Sequence, residues 1–422
     1  MPTVDNIIIG AGPGGYPLAA GLVARGESTL IIEKNQPGGT CLNRGCIPTK
    51  CLCASADVYR EAIGAQAMGV DISSVTFNTQ AAFARMQQVM QTLRDGVMAE
   101  LRGVEYINGT ATILPDRSVK VGDEIYSAKN RLVIATGSRP ATPPIEGIEL
   151  AMTSDDFLGH PIDGGSYIII GGGVIGLELA SILGSIGSTV TVIEYFPEVL
   201  PSFDPEVAKR LRMTMGRRST TFKLGATVKC IERVDGVLEV KFSDRKGESS
   251  VTADHVIVAT GRRPVVPDGT LDAGIELDAK GFIKVDDRMR TNIEGVYAIG
   301  DVNGLSMLAH SATAQARVIL DDDPTRFSGK HVPAVVFTEP EVATVGATPA
   351  GLQEAGITFD VHKRQFASNG KALAMGGSNG FVKILTSATD HRILGVSILG
   401  PHASDLIAEA TIAVVEGLRL QD

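Results

Sequence analysis

Val4-Asp-Asn-Ile-Ile-Ile-Gly10-Ala-Gly12-Pro-Gly14-Gly15 and Tyr167-Ile-Ile-Ile-Gly171-Gly-Gly173-Val-Ile-Gly176 carry one pattern twice. Each is an apolar strand that runs into a GxGxxG turn and on into a helix-like apolar segment. A second apolar strand follows in both copies, Ser28 to Ile32 and Thr189 to Ile193, and ends in an acid, Glu33 or Glu194. The acid comes eighteen residues after the last glycine each time, from 15 to 33 and from 176 to 194. That series is the dinucleotide-binding fingerprint: the first glycine allows a tight turn, the second lets backbone approach a pyrophosphate, and the third lets helix pack on strand. The pyrophosphate rests on the helix N-terminus, and the acid accepts hydrogen bonds from a ribose hydroxyl. A lone GxGxxG is weak evidence, whereas two copies in the right context with one shared acid offset are not. Each copy also closes on an apolar strand ending in Ala-Thr-Gly, at Ala135-Thr136-Gly137 and Ala259-Thr260-Gly261.

The surrounding chain fits this reading. At 422 residues and 44% hydrophobic it is too long for one ordinary core and predicts several domains. Net charge is −9, with Lys and Arg dispersed rather than gathered in runs, so no nucleic-acid partner is expected. Tyr167 to Gly184 is long and apolar, but its glycines and Glu178 predict a buried strand, turn and helix rather than a membrane span. The first apolar strand begins within a few residues of Met1, which leaves no room for a signal peptide and predicts a cytoplasmic protein off the membrane. Asn78 to Arg102 reads as an amphipathic helix with Phe83, Met86, Met90, Leu93, Val97 and Leu101 on one face. From Pro333 onward the pattern changes to short strands, Val335–Phe337, Phe381–Leu385 and Ile393–Leu399, with an apolar helix from Ala403.

Four of the five cysteines fall between positions 41 and 53. In Gly38-Gly39-Thr40-Cys41-Leu-Asn-Arg-Gly45-Cys46-Ile-Pro-Thr-Lys50, two cysteines are separated by four residues, and the second leads into a predicted helix. They can meet as a disulfide if the segment is a bent first helical turn. A helix N-terminus with a cation such as Lys50 nearby stabilises the thiolate that disulfide exchange requires, whereas an ordinary thiol of pKa about 8.5 is only ~3% ionised at pH 7. The other reading of the cluster is a metal, but intervals of four, four and one residues match neither paired zinc ligation nor the usual iron–sulfur spacings, and no metal site is expected. Cys51, Cys53 and Cys230 read as small buried apolar residues.

The Gly38–Lys50 segment resembles the redox motif of the flavin-dependent disulfide reductases, the pyridine nucleotide-disulfide oxidoreductases. The similarity continues through Tyr297-Ala-Ile-Gly300-Asp301, Leu308-Ala309-His310, Glu339-Pro-Glu-Val-Ala-Thr-Val-Gly346 and Gly380-Phe-Val-Lys-Ile384. It implies an α/β protein with two Rossmann-like dinucleotide-binding domains plus a C-terminal α+β dimerisation domain. Residues 1–144 would form the first part of the FAD-binding domain, 145–268 the NAD-binding domain, 269–332 a central segment completing the FAD site, and 333–422 the interface domain. FAD is then expected at Gly10, Gly12, Gly14, Gly15, Glu33, Gly39, Thr40, Lys50, Ala135, Thr136 and Gly137, with Gly300, Asp301, Leu308, Ala309 and His310. NAD is expected at Gly171, Gly173, Gly176, Glu194 and Gly261. Glu194 would repel the extra phosphate of NADP, and no arginine follows it in Tyr195-Phe196-Pro197.

By the same resemblance Cys46 is the thiol beside the flavin, Cys41 the interchange thiol that meets the substrate disulfide, and Lys50 with Glu178 an ion pair near the reactive ring. The form of the motif is that of members oxidising dihydrolipoamide with NAD, as homodimers serving the lipoyl domain of a 2-oxo-acid dehydrogenase or glycine cleavage complex. Reduction of another disulfide or a metal ion, or a flavin-loaded structural subunit with only diaphorase activity, are the alternatives. Relatives close with a His-Pro segment and a following Glu that act as acid/base at the partner's disulfide, and this sequence reaches Asp422 ahead of such a segment. Neither His160, His310 nor His402 matches that pattern, and His160 reads as structural. The expectation is a truncated form, the alternative being a protein that has dispensed with the base and does different work, with lipoamide turnover lowered by at least about 10²-fold, surviving dye reduction and a weakened dimer.

Overall fold

The computed structural model describes residues 1–321 and 327–422, which divide into two compact units. The first comprises Met1–Pro48, Ala84–Arg139 and Arg262–Gly329, and the second Thr49–Phe83, Pro140–Gly261 and Lys330–Asp422.

In the first unit Thr3–Ile9 lies at the centre of a parallel sheet, between Thr29–Glu33 and Glu124–Ile134, with Glu105–Asn108 and Val296–Ala298 outside them. Antiparallel strands Val119–Val121 and Ala111–Ile113 extend the same sheet. Both faces of such a sheet are covered, so its strands are unbroken apolar runs rather than alternating ones. Ile7 and Ile9 enter a core with Leu30, Ile32, Leu132 and Ile134, while Ile8, fully buried, points to the opposite face. Helix Gly15–Ala24 packs against helix Ala309–Leu320. Helix Thr79–Glu100 buries Met86, Met90 and Val97, and Leu101 just beyond it, but Leu93 is 39% exposed because it stands at the edge of the apolar stripe.

The second unit repeats the arrangement. Ser166–Ile170 is flanked by Thr189–Glu194 and His255–Val258, with Thr220–Leu224 and Met152–Thr153 at the edges, all parallel. The Tyr167 to Gly184 stretch is therefore a strand, a turn and the helix Val174–Ser185. A three-stranded antiparallel sheet, Thr227–Val234, Val237–Asp244 and Gly247–Ala253, covers one face through Ile231, Val240 and Phe242. Cys230, expected in a core, is only half-buried, since it follows a register shift in the outer strand, and its thiol bonds Glu232 at 3.4 Å. The C-terminal segment forms an antiparallel sheet in the order Ala334–Val336, Val342–Gly346, Ile393–Leu399, Phe381–Ser387, Phe359–Gln365. Helix Ala403–Val415 seals it by burying Ala403 and Ile407 against Ala343, Val345, Val396 and Ile398. Of these strands, Phe359–Gln365 lies in no motif quoted from the sequence.

Candidate active site

The two glycine turns are built alike at their first and third glycines. Gly10 has φ +107° and Gly171 +114°, and a Cβ there would fall 2.4 Å from the carbonyl oxygen of Ala135 or Ala259, the alanines of the two Ala-Thr-Gly strand ends. A Cβ on the third glycine would collide with the carbonyl oxygen of the first, at 1.9 Å for Gly15 and 2.1 Å for Gly176. Only the middle glycine faces room: nothing lies within 4 Å of a Cβ on Gly173, and only Gly39 Cα, at 3.8 Å, near one on Gly12. The acids close the turns. Glu33 accepts from the N–H groups of Ala11 and Asn35, both at 2.8 Å, and Glu194 from those of Gly172 and Phe196. Each buried carboxylate has about four acceptor sites, so both keep capacity toward the space before the turn.

The cysteine segment is laid against the first of these turns. Gly38 N–H donates to Ala11 O at 2.8 Å, and the Gly39 backbone comes so close that a Cβ there would fall 2.7 Å from Gly12 Cα. Instead of a single bent turn there are two helices. Cys41 lies in the short helix Gly39–Arg44, the chain breaks at Gly45, and Cys46 opens the 19-residue helix Cys46–Gly64. Asn43 holds the short helix in place, donating to Pro37 O and Gly39 O at 3.0 and 2.9 Å and accepting from Arg94 at 3.1 Å. Tyr16, absent from the sequence reading, is held near Cys41. Its hydroxyl pKa is raised by burial first, and then by the charges of Glu100 and Cys41.

In the second unit Lys50 Nζ meets both carboxylate oxygens of Glu178 at 3.1 Å. Glu178, on helix Val174–Ser185, is 5% exposed, and its Oε1 also accepts the Phe337 N–H at 2.9 Å. The ammonium stands 4.2 Å from the Phe337 ring centre. A buried carboxylate is tolerable only when paired and hydrogen-bonded, and here both conditions are met. Phe337 carries no signal for this role in the sequence, because what it contributes is a backbone N–H and a ring face brought across from a distant strand. Cys53 Sγ bonds Phe337 O at 3.5 Å, and burial pushes its thiol pKa up.

Asp301 lies in a tight helical turn, Gly300–Asn303, and accepts from Ser138 Oγ at 2.5 Å. Gly300 N–H is held by the buried Gln315 at 2.7 Å, another contact the sequence does not announce. Leu308, in extended backbone, immediately precedes helix Ala309–Leu320, and His310 lies in its first turn. His160 is exposed on a bend, and His402 is exposed with Nδ1 3.6 Å from Asp405.

Residues 4–316 match the family described as pyridine nucleotide-disulphide oxidoreductase. The chain belongs to that family. Residues 332–422 match the dimerisation domain of the pyridine nucleotide-disulphide oxidoreductases, so the family read from the Gly38–Lys50 motif and the fold class it implied both hold. The chain is 37% identical to the dihydrolipoyl dehydrogenase of Chlamydia muridarum, covering 99% of this chain and 91% of that one. It is also 37% identical to that of Thermus scotoductus, covering 100% and 93%. A solved protein of similar structure is the HOCl-induced flavoprotein disulfide reductase RclA from Escherichia coli in a Cu(II) complex, with TM-score 0.88, 27% identity and coverage of 99% and 94%. Among the described residues no helix is long and apolar enough to cross a membrane.

Proposed function

We propose that the chain is an FAD-dependent dihydrolipoyl dehydrogenase, oxidising protein-bound dihydrolipoamide with NAD through Cys41 and Cys46. The observation that carries this is the helix break at Gly45, which sets one cysteine on either side of it with the segment's backbone packed on the first glycine turn. Relatives of that name at 37% identity over nearly the whole chain support the choice of substrate.

The residues fit the two cofactors. Before Gly12 and Gly173 there is space that a Cβ would fill, at helix N-termini where orphan N–H groups favour a pyrophosphate, and Glu33 and Glu194 have acceptor sites left for ribose hydroxyls. Gly10, Gly12, Gly14, Gly15, Glu33, Gly39, Thr40, Ala135–Gly137, Gly300, Asp301 and Leu308–His310 would hold FAD, with Lys50 at its ring. Gly171, Gly173, Gly176, Glu194 and Gly261 would hold NAD. Residues 1–144 and 269–332 then serve FAD, 145–268 NAD, and 333–422 a homodimer interface. Lipoyl domains of a 2-oxo-acid dehydrogenase or glycine cleavage complex are the macromolecular partners, in the cytoplasm.

The exchange is thiol chemistry. One substrate thiolate attacks Cys41 Sγ of the Cys41–Cys46 disulfide, forming a mixed disulfide and releasing the Cys46 thiolate. The second substrate thiol then attacks the substrate sulfur of that mixed disulfide, closing lipoamide and expelling Cys41, which leaves as a thiol with that proton. The pair has gained two electrons and, with Cys46 kept as thiolate, one proton, the other having been lost when the attacking thiol ionised. Cys46 opens a long helix, whose dipole favours negative sulfur, and Lys50 follows one turn along. Bound FAD supplies the two-electron path from the reduced pair to NAD. Lys50 is kept from wandering by Glu178 and the Phe337 ring.

The test is spectral. One equivalent of dithionite given to the purified flavoprotein should produce a long-wavelength thiolate-to-flavin band, lost on adding lipoamide; colourless protein that takes up no FAD would sink the reading. Cofactor choice gives a second expectation. Glu194→Ser should raise the NADPH to NADH ratio of kcat/KM by about ten-fold or more, because a carboxylate about 4 Å from a phosphate costs roughly 1–4 kcal/mol. Steady-state kinetics with both nucleotides reads that ratio directly. Gly173→Ala should leave the fold within about 1 kcal/mol of wild type, as its Cβ meets nothing, yet raise the KM for NADH. Thermal unfolding and NADH titration separate the two effects.

A further inference from the structure

We propose that Arg262 and Ser138 are positioning residues that aim the Asp301 carboxylate at the cofactor, which rests on the reading above that Asp301 holds FAD. The two fingerprint halves close on nearly identical runs, Ala135-Thr-Gly-Ser138-Arg-Pro140 and Ala259-Thr-Gly-Arg262-Arg-Pro264, which differ only at Ser138 and Arg262. These two residues stand where the chain leaves the first unit and where it returns. They meet there. Arg262 Nε donates to Ser138 Oγ at 2.7 Å and its Nη2 to Ser138 O at 2.9 Å, while Val265 N–H donates to Gly137 O at 2.9 Å.

The polarity of the relay is forced. A guanidinium has five donors and no acceptor, so the serine hydroxyl must receive from it with a lone pair and spend its single proton elsewhere. That proton goes to Asp301 Oδ2 at 2.5 Å, with Arg262 Nε itself 4.0 Å from the same oxygen. Ser138 is 5% exposed, and the Arg262 and Asp301 side chains are 12% and 22% exposed, so the chain of contacts is largely shielded from competing water. One carboxylate oxygen is thereby engaged within the protein, which leaves Oδ1 to accept from an outside donor such as a polyol hydroxyl. The pair touches Asp301 and acts through it.

The experiment is FAD titration into apoprotein, followed by fluorescence, for wild type and for Ser138→Ala, Arg262→Leu, Arg262→Lys and Asp301→Ala. Ser138→Ala and Arg262→Leu should each weaken FAD about ten-fold, the scale of losing a charge-assisted hydrogen bond. Arg262→Lys, which keeps a donor for Ser138, should recover part of the loss. The double variant Ser138→Ala/Asp301→Ala should bind no more weakly than Asp301→Ala alone, and the apoproteins should unfold at the wild-type midpoint. Wild-type affinity in both Ser138→Ala and Arg262→Leu, additive losses in the double variant, or losses that track a lowered midpoint overturn the positioning role while leaving the function intact. An Asp301→Ala variant with undiminished affinity, or wild type that takes up no FAD, overturns the reading of Asp301 and the proposal with it.

Discussion

Cys46→Ser is expected to lower NAD-linked oxidation of dihydrolipoamide by about 10³-fold or more, while flavin content and NADH-driven dye reduction stay near wild type. The two activities divide because dye reduction requires the nucleotide and the flavin but not the exchange pair. Serine keeps the size of the side chain at the head of the Cys46–Gly64 helix, so the fold is not the variable. Cys41→Ser should fall by a similar factor, since neither sulfur can form the disulfide alone. Cys53→Ser is the control: its sulfur is tied to Phe337 O and burial raises its thiol pKa, so it is a poor nucleophile and turnover should change little. Stopped assays with dihydrolipoamide and with a dye, on the same flavin-loaded samples, decide the matter. Normal dihydrolipoamide turnover in Cys46→Ser would remove the exchange pair from the mechanism.

Lys383→Met should destabilise the protein by roughly 3–5 kcal/mol, as expected when one partner of a buried ion pair is removed. Lys383 is buried in strand Phe381–Ser387, on the face it shares with the buried Phe381 and Leu385, and is 8% exposed. Its ammonium meets Asp204 at 2.8 Å and Glu206 at 3.1 Å, and Asp204, 2% exposed, also caps helix Pro205–Gly216 by accepting the Glu206 N–H. Methionine fills the volume but strands the Asp204 charge. Lys363→Met, which removes a more exposed partner of Glu206, should cost under about 1 kcal/mol.

The pH dependence of the same cluster has a definite sign. Burial alone lowers the Lys383 pKa, but hydrogen bonds and charge from Asp204 and Glu206 overcome it, and the net shift is upward from 10.5. Its stabilisation is therefore complete below pH 10.5 and lost as pH rises through the folded value. For Glu206, burial raises the pKa and the bonds from Lys363 and Lys383 outweigh it, leaving it below 4.5. That contribution is present above pH 4.5 and lost as pH falls through the folded value. Denaturant midpoints of wild type and Lys383→Met should converge at the alkaline limit; a constant gap through high pH would mean the lysine acts by packing alone.

Much of this was legible before any coordinates. The two glycine turns, their strands and their acids could be read because the spacing is a local device: the contact of Gly15 with Gly10, and of Gly176 with Gly171, is settled within one turn of chain. The cysteine motif is local too, although the break at Gly45 is not, since the segment is shaped by its packing on Gly12 and by Asn43. Leu93 marks the limit of periodicity, which says which residues share a face and not how far the neighbouring element covers it, and Cys230 the limit of reading a cysteine's burial from its type.

The sequence by itself determined that there are two dinucleotide folds and a third, sheet-based domain, because glycine stereochemistry and apolar spacing act over a few residues, while the exchange pair came from the resemblance of the Gly38–Lys50 motif. Tertiary structure alone decided that Phe337 supplies an N–H to Glu178, that Lys383 is buried against Asp204, and that Ser138 meets Arg262 and Asp301. Those partners are separated by more than a hundred residues, and what joins them is sheet register and side-chain packing, neither of which any local pattern encodes.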